Sequence, residues 1–208
     1  MDRRGLLASD PQVPKRLNMN KENIRNSTFK GNDYTGRRLP FPEYERCEFV
    51  DCNFAKVDLS EVNFIDCRFA GCNLGNAKLE GTGLKGVFFK DCKLIGLDFS
   101  TCNDFLLDLG FEGCNLDFAY FHKKKLKKTK FLNCTIAEAN FTESDLSEVI
   151  FDGCDLLRTV FQNSQLRGAD FRLARHYSID PDKNAVKGAK FSYPHVLGLL
   201  DKFGIVVE

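Results

Sequence analysis

The sequence predicts an all-β solenoid, a parallel β-helix of about eight square coils with a C-terminal capping helix, and three observations carry the prediction. Phenylalanine recurs every twenty residues at Phe29, Phe49, Phe69 and Phe89 and, after a two-residue slip, at Phe111, Phe131, Phe151, Phe171 and Phe191. Between these, every fifth residue is also large and apolar, as in Tyr44, Phe49, Phe54, Leu59, Phe64 and Phe69. Two residues before each such centre sits a small side chain, as in Cys47, Cys52, Val57, Val62, Cys67 and Cys72.

A period of five is neither the 3.6 of a helix nor the 2 of an extended strand, so a short extended stroke followed by a turn is required. Four strokes close a square, and stacked squares bury one continuous core. The four columns differ in composition, which makes twenty the structural period. One is phenylalanine throughout; the next runs Tyr34, Phe54, Leu74, Leu94; the third changes from Leu39, Leu59 and Leu79 to Phe99, Phe121, Phe141 and Phe161; the fourth is Tyr44 and Phe64, then leucines. Two residues after a centre glycine recurs, as at Gly71, Gly81, Gly86 and Gly96, where the chain must bend and positive φ is wanted. With a strand-like spacing of about 4.8 Å, eight coils make a rod about 38 Å long.

In chain order, residues 1–23 show no period and read as a loose N-terminal tail. Residues 24–191 form the β-helix. The slip adds two residues somewhere in Ser100 to Asp104; if they precede Asp104, that residue joins the inward column directly below Lys124, and the two form an ion pair across one coil step of about 4.8 Å. The pattern lapses from His176 to Pro181, which reads as a loop. In residues 192–208, Pro194 opens a helix with Tyr193, Val196, Leu197, Leu200 and Phe203 at helical spacing, Gly204 stops it, and Ile205-Val206-Val207 reads as a short strand. This end caps the core. Leu199, Ile205 and Val206 extend its apolar surface further than a cap needs, which points to a homodimer through the C-terminus.

Cys52-Asn53-Phe54, Cys72-Asn73-Leu74, Cys114-Asn115-Leu116, Ala139-Asn140-Phe141, Cys154-Asp155-Leu156 and Ala169-Asp170-Phe171 repeat a unit of small residue, Asp or Asn, then Leu or Phe. Over residues 24–191 the chain resembles the pentapeptide-repeat family, and the resemblance implies a right-handed quadrilateral β-helix. The segment from Val196 to Ile205 also looks like the C-terminal dimer module of the Qnr and MfpA quinolone-resistance group. That likeness implies a non-catalytic protein that binds DNA gyrase or topoisomerase IV, by occupying the enzyme's DNA saddle with a rod of duplex-like girth.

Charge restricts this expectation. Lys plus Arg number 30 against 29 for Asp plus Glu, whereas a 38 Å mimic of duplex DNA needs about 22 net negative charges. Broad mimicry is excluded, and an acidic patch at Asp58, Glu61, Glu80 and Asp98 is left as the partner-binding candidate. A general cytosolic protein-binding scaffold of another partner is the first alternative. The second is polyanion or nucleic-acid binding through the basic patch of Lys123, Lys125, Lys127, Lys128 and Lys130, disfavoured because stacking aromatics and a basic groove should accompany it.

Catalysis, cofactor and metal are not expected. The cysteines Cys52, Cys72, Cys92, Cys114, Cys134 and Cys154 form a ladder rather than a tetrahedral cage, and read as reduced, buried small hydrophobes. His122, His176 and His195 have no acid, serine or cysteine partner at a spacing this geometry joins, and His122 should face solvent. The start of the chain lacks a signal peptide's apolar stretch and no run approaches the 20 or so apolar residues that span a bilayer, so the expected location is cytoplasmic.

Overall fold

The computed structural model describes residues 23–206. The tail expected over residues 1–23 lies outside them except for Asn23, which already belongs to the first strand. Along one side of the rod run β1 (Asn23–Arg25), β3 (Glu43–Glu45), β5 (Asn63–Ile65) and the long β7 (Gly83–Lys90), each parallel to the one below it. Along the next side run β2 (Thr28–Lys30), β4 (Glu48–Val50), β6 (Arg68–Ala70), the second half of β7, β8 (Leu107–Glu112), β9 (Lys130–Leu132) and β10 (Ile150–Asp152). The second of these carries the phenylalanine column and is side one; the others are numbered onward in chain order, so β1, β3 and β5 lie on side four. Sides two and three are joined by single parallel bridges such as Asn53↔Asn73 and Asp58↔Lys78.

Residues twenty apart lie on one another, as the spacing predicts. Phe49 pairs with Phe69, and Phe111 with Phe131. Their rings stack with centroids 4.7 Å and 4.9 Å apart. Rings of opposite sides meet edge-on across the core, as Phe121 and Phe131 do at 87°, so Phe111, Phe121 and Phe131 combine the stacked and edge-to-face contacts that aromatic quadrupoles favour. The regular ladder on side one ends at β10. Its last two steps, to Phe171 and Phe191, are carried by the isolated bridges Ile150↔Asp170 and Asp170↔Lys190. The regular solenoid is therefore shorter than the phenylalanine series alone suggests.

At the corners the backbone turns left-handed. Glycine supplies this at Gly86 (φ +64), where a Cβ would also stand only 2.5 Å from Asp66 Oδ1 of the coil below. Asp51 (φ 52), Lys56 (φ 59) and Glu61 (φ 62) adopt the same conformation without being glycine, so the corner is set by the five-residue stroke and glycine only eases it.

The inward small residues do more than fill space. Thr82 Oγ1 donates to the Leu59 carbonyl at 2.8 Å and Ser144 Oγ to that of Phe121 at 2.6 Å. Cys72 and Cys92 donate through sulfur to Phe49 and Phe69 at 3.3 and 3.4 Å. Each donor adds a hydrogen bond to a buried carbonyl of a centre residue one coil below; those of Leu59 and Phe121 also accept from the Val62 and Lys124 N–H groups. The nine thiols are free and buried, and the description of them as small hydrophobes is incomplete for this reason.

The slip falls later than expected. Asn103 N–H still bonds the Thr82 carbonyl at 3.0 Å, the same 21-residue step by which Lys93 bonds Cys72. The added residues therefore lie in the short 3₁₀ helix Asp104–Leu106, whose start is capped by the Asn103 side chain. Cys102, not Asp104, holds the inward position, and Leu107 rather than Leu106 pairs with Leu84.

The C-terminal segment also differs from expectation. It forms two 3₁₀ turns, His195–Leu199 and Asp201–Phe203, in place of one helix, and Ile205 and Val206 are in no strand. The reason is Gly198. Its carbonyl accepts from Ile179 N–H at 3.1 Å and its Cα lies so close to the Tyr177 carbonyl that no Cβ would fit. Docking backbone on backbone here outweighs a helix already weakened by a central glycine. The lapse before it is not an outward loop, because Tyr177 and Ile179 turn into the core.

Candidate protein-binding surfaces

The acidic candidates occupy side three and its corner with side four. Asp58 and Asp98 share one column, but Lys78 stands between them, bridged to Asp58. Asp58 faces Arg38 at 3.6 Å and accepts from Ser60 N–H at 3.1 Å; those Ser60 hydrogen bonds hold its carboxyl below the ordinary carboxylate range. Asp98 caps its own turn through Ser100 N–H at 2.9 Å. Glu61 lies over Gly81 of the next coil, and Glu80 is exposed. The four share one side without forming an unbroken anionic surface.

The basic candidates are overlaid by acids of the coil above. Lys123 approaches Glu143 at 3.5 Å, and Lys127 and Lys128 approach Glu148 at 3.3 and 3.6 Å. Lys125 is bridged through its backbone to Asp145, and Lys130 opens β9 on side one. Lys124 is buried, with its ammonium 2.8 Å from the Cys102 carbonyl and 2.5 Å from Asp104. The pair forms as expected, but Asp104 reaches it from the rim: its side chain is 70% exposed where that of Lys124 is 5%.

At the C-terminal end Val196, Leu197 and Leu199 are half-buried, and Leu199 packs on the core instead of extending the outer surface. Tyr193, Leu200, Phe203, Ile205 and Val206 remain exposed. Lys202 ties this segment down through Asp180 at 2.7 Å and through Asp182.

The histidine expectation is corrected at two places. His176 Nδ1 lies 2.9 Å from Asp155 Oδ1, beside Arg175 on the same carboxylate at 3.2 Å. The cause is the left-handed corner at His176 (φ 58), which swings the ring back over the coil below. Burial opposes ionisation of Asp155, but the hydrogen bonds from His176 and Arg175 prevail and keep its carboxyl below the ordinary range. His122 is only half exposed, its Nδ1 is buried, and its ring lies 5.9 Å from that of Tyr120. Among the described residues no group of three or more His, Cys, Asp or Glu side chains converges as a metal site would require.

Of the exposed aromatics in residues 24–191 that escaped the five-residue pattern, two stand out most from the surface. Phe105, 92% exposed, sits in the added 3₁₀ turn and so lies off the grid; Phe118 occupies a left-handed corner (φ 60), a position the apolar series does not monitor.

These features define a stacked-coil parallel β-solenoid of five-residue sides. A profile of the pentapeptide repeat region matches residues 43–121 and 105–181, and the chain belongs to the pentapeptide-repeat family. It is 28% identical over 159 residues to the pentapeptide repeat protein QnrB4 of Escherichia coli, an alignment spanning 72% of this chain and 62% of that protein. Among solved structures it is similar to trypsin-treated QnrB1, a plasmid-mediated fluoroquinolone resistance protein, at 19% identity and a TM-score of 0.58 over 89% of this chain and 100% of that one. It is also similar to HetL, a pentapeptide repeat protein involved in heterocyst differentiation regulation in Nostoc sp. strain PCC 7120, at 16% identity and a TM-score of 0.60 over 80% of this chain and 86% of that one. At these identities the two structures establish the shared fold.

Proposed function

We propose that the protein is a non-catalytic interaction protein that binds DNA gyrase or topoisomerase IV in the cytoplasm and protects it from quinolones, associating as a homodimer through its C-terminal end. The observation that carries this reading is the sequence likeness to QnrB4 across 72% of the chain. It is supported by a rod of the same fold as QnrB1 and by exposed apolar side chains at Tyr193, Leu200, Phe203, Ile205 and Val206, where two rods would meet. Among the described residues no helix is long and apolar enough to cross a membrane.

With a net charge of +1 and Lys78 interrupting the acidic column, recognition would be local, through Asp58, Glu61, Glu80 and Asp98, instead of by imitation of a whole duplex. The same neutrality favours the second reading, a scaffold for a different protein partner. Gyrase supercoiling in the presence of ciprofloxacin separates them. Protection that saturates with added protein, and weakens in Glu80→Lys with Asp98→Lys, supports the first reading; supercoiling that stays inhibited at every protein concentration removes it.

A further inference from the structure

Side four carries an alternation of charge from coil to coil. The coil of Phe69 presents Lys85 there, and the coil of Phe89 presents Asp104 and Asp108. Next comes the lysine-rich coil of Phe111, followed by Glu143, Asp145 and Glu148 in the coil of Phe131. Phe105, in the 3₁₀ turn of the second of these coils, is the most exposed large apolar side chain described.

We propose that side four is a self-complementary surface on which two copies of the chain lie side by side and antiparallel, about a two-fold axis beside Phe105. Such an axis, perpendicular to the side and passing between the coils of Phe89 and Phe111, exchanges upper coils with lower ones and left with right. Every acidic coil then meets a basic one. Asp108, at one edge, falls opposite Lys123 and Lys125 at the other; Asp104 falls opposite Lys127 and Lys128; Asp145 falls opposite Lys85. Phe105 lands on the stem and ammonium of Lys127 in the second copy, a cation–π arrangement. An isologous interface requires this antisymmetry of charge about its axis, and complementary fields set its register.

The lysines are free to turn outward. Their contacts with Glu143 and Glu148 are 3.3–3.6 Å long, and the lysine side chains stay 54–68% exposed, whereas a firm charge-assisted bond is about 2.7–2.9 Å. A nucleic-acid strand fits this surface less well, because the lysines occupy one coil with carboxylates on the coils above and below, which breaks any track of phosphates. The contact is independent of the C-terminal one, lying on the flank of the rod and not at its end.

Sedimentation velocity on the full chain tests the proposal. Its association number should fall to that of the C-terminal contact alone between about 50 mM and about 500 mM NaCl, since exposed pairs are screened over this range. Lys123→Glu with Lys125→Glu, and separately Asp108→Lys, should each lower it to that same value at low salt; an equimolar mixture of the two variants should restore it, because each then offers the charge the other lacks. Phe105→Ser should weaken the association about tenfold while keeping the wild-type circular dichroism. An association number indifferent to salt, or well-folded variants whose mixture fails to recover, overturns the proposal. So does loss of single-stranded DNA retention in the lysine variant with association unchanged, which would assign the lysines to nucleic acid. Failure of the C-terminal homodimer is read separately, from Phe203→Asp, whose effect should persist at every salt concentration.

Discussion

Lys124 stands where other coils hold Thr82, Ser144 or Ser164, and like them it donates to a carbonyl of the coil below. Its extra length spans the gap opened by the added residues, and Cys102 supplies the acceptor. Lys124→Met keeps the volume and removes the donor, so the Cys102 carbonyl is left unpaired. The expected cost is about 1–3 kcal/mol in urea unfolding, against a change within about 0.5 kcal/mol for the exposed Lys125→Met. The ladder cysteines obey the same rule: Cys92→Ser retains a donor and should cost less than Cys92→Ala, by about 1 kcal/mol in the same measurement. At this scale the sequence was legible in size but not in chemistry. The inward column reads as small, and that small meant small donor emerges only once the carbonyls twenty-three residues back are in view. Burial pushes the thiol of Cys102 up to about 12, so it stays protonated at neutral pH.

The C-terminal segment is the least regular element, and two contacts hold it. One is Gly198 on the Tyr177 carbonyl, so Gly198→Ala should undock both 3₁₀ turns and raise amide exchange throughout residues 195–206 while the coils below keep their protection. The other is the Lys202 latch. The Lys202 hydrogen bond, with help from the Asp182 N–H, lowers the pKa of Asp180 from its ordinary 3.8. A lowered folded pKa means the latch contributes fully above that ordinary value and is lost as pH falls through the folded one. Protection factors over residues 195–206, taken against the intrinsic exchange rate at each pH, should therefore be flat from neutrality down to about pH 4 and fall below it, a step that Lys202→Met abolishes. Helical spacing at Val196, Leu197, Leu200 and Phe203 suggested a helix because local pattern cannot see that Gly198 is committed to a neighbour. The insertion was misplaced for a similar reason. Leu106 and Leu107 are equally good centres by composition, and only the pairing of Leu107 with Leu84 decides between them.

For the whole molecule, the coil is the unit of cooperation. Residues 131–150 make one full turn, so deleting them sets Phe151 directly over Phe111 and should leave a shorter rod with native-like circular dichroism. Deleting residues 131–140 instead brings the phenylalanines of side three over those of side one and reverses the facing of every later surface residue, and should lower the melting temperature far more than loss of a whole coil. The overall architecture was readable from the chain because the period of twenty is written in side-chain size at every layer. The surfaces were less readable, since outward positions carry no packing constraint and only their stacking shows that Lys78 divides the acids or that Glu148 overlies the lysines. The 3₁₀ step at Asp104–Leu106 changes the length of one side and leaves the stacking of Phe89 on Phe111 intact at 5.5 Å. A square tower that absorbs surplus chain at a corner without disturbing the storey above offers a natural grafting point: a foreign peptide displayed between Asn103 and Leu107 would hang from a rigid mast whose two halves remain in alignment.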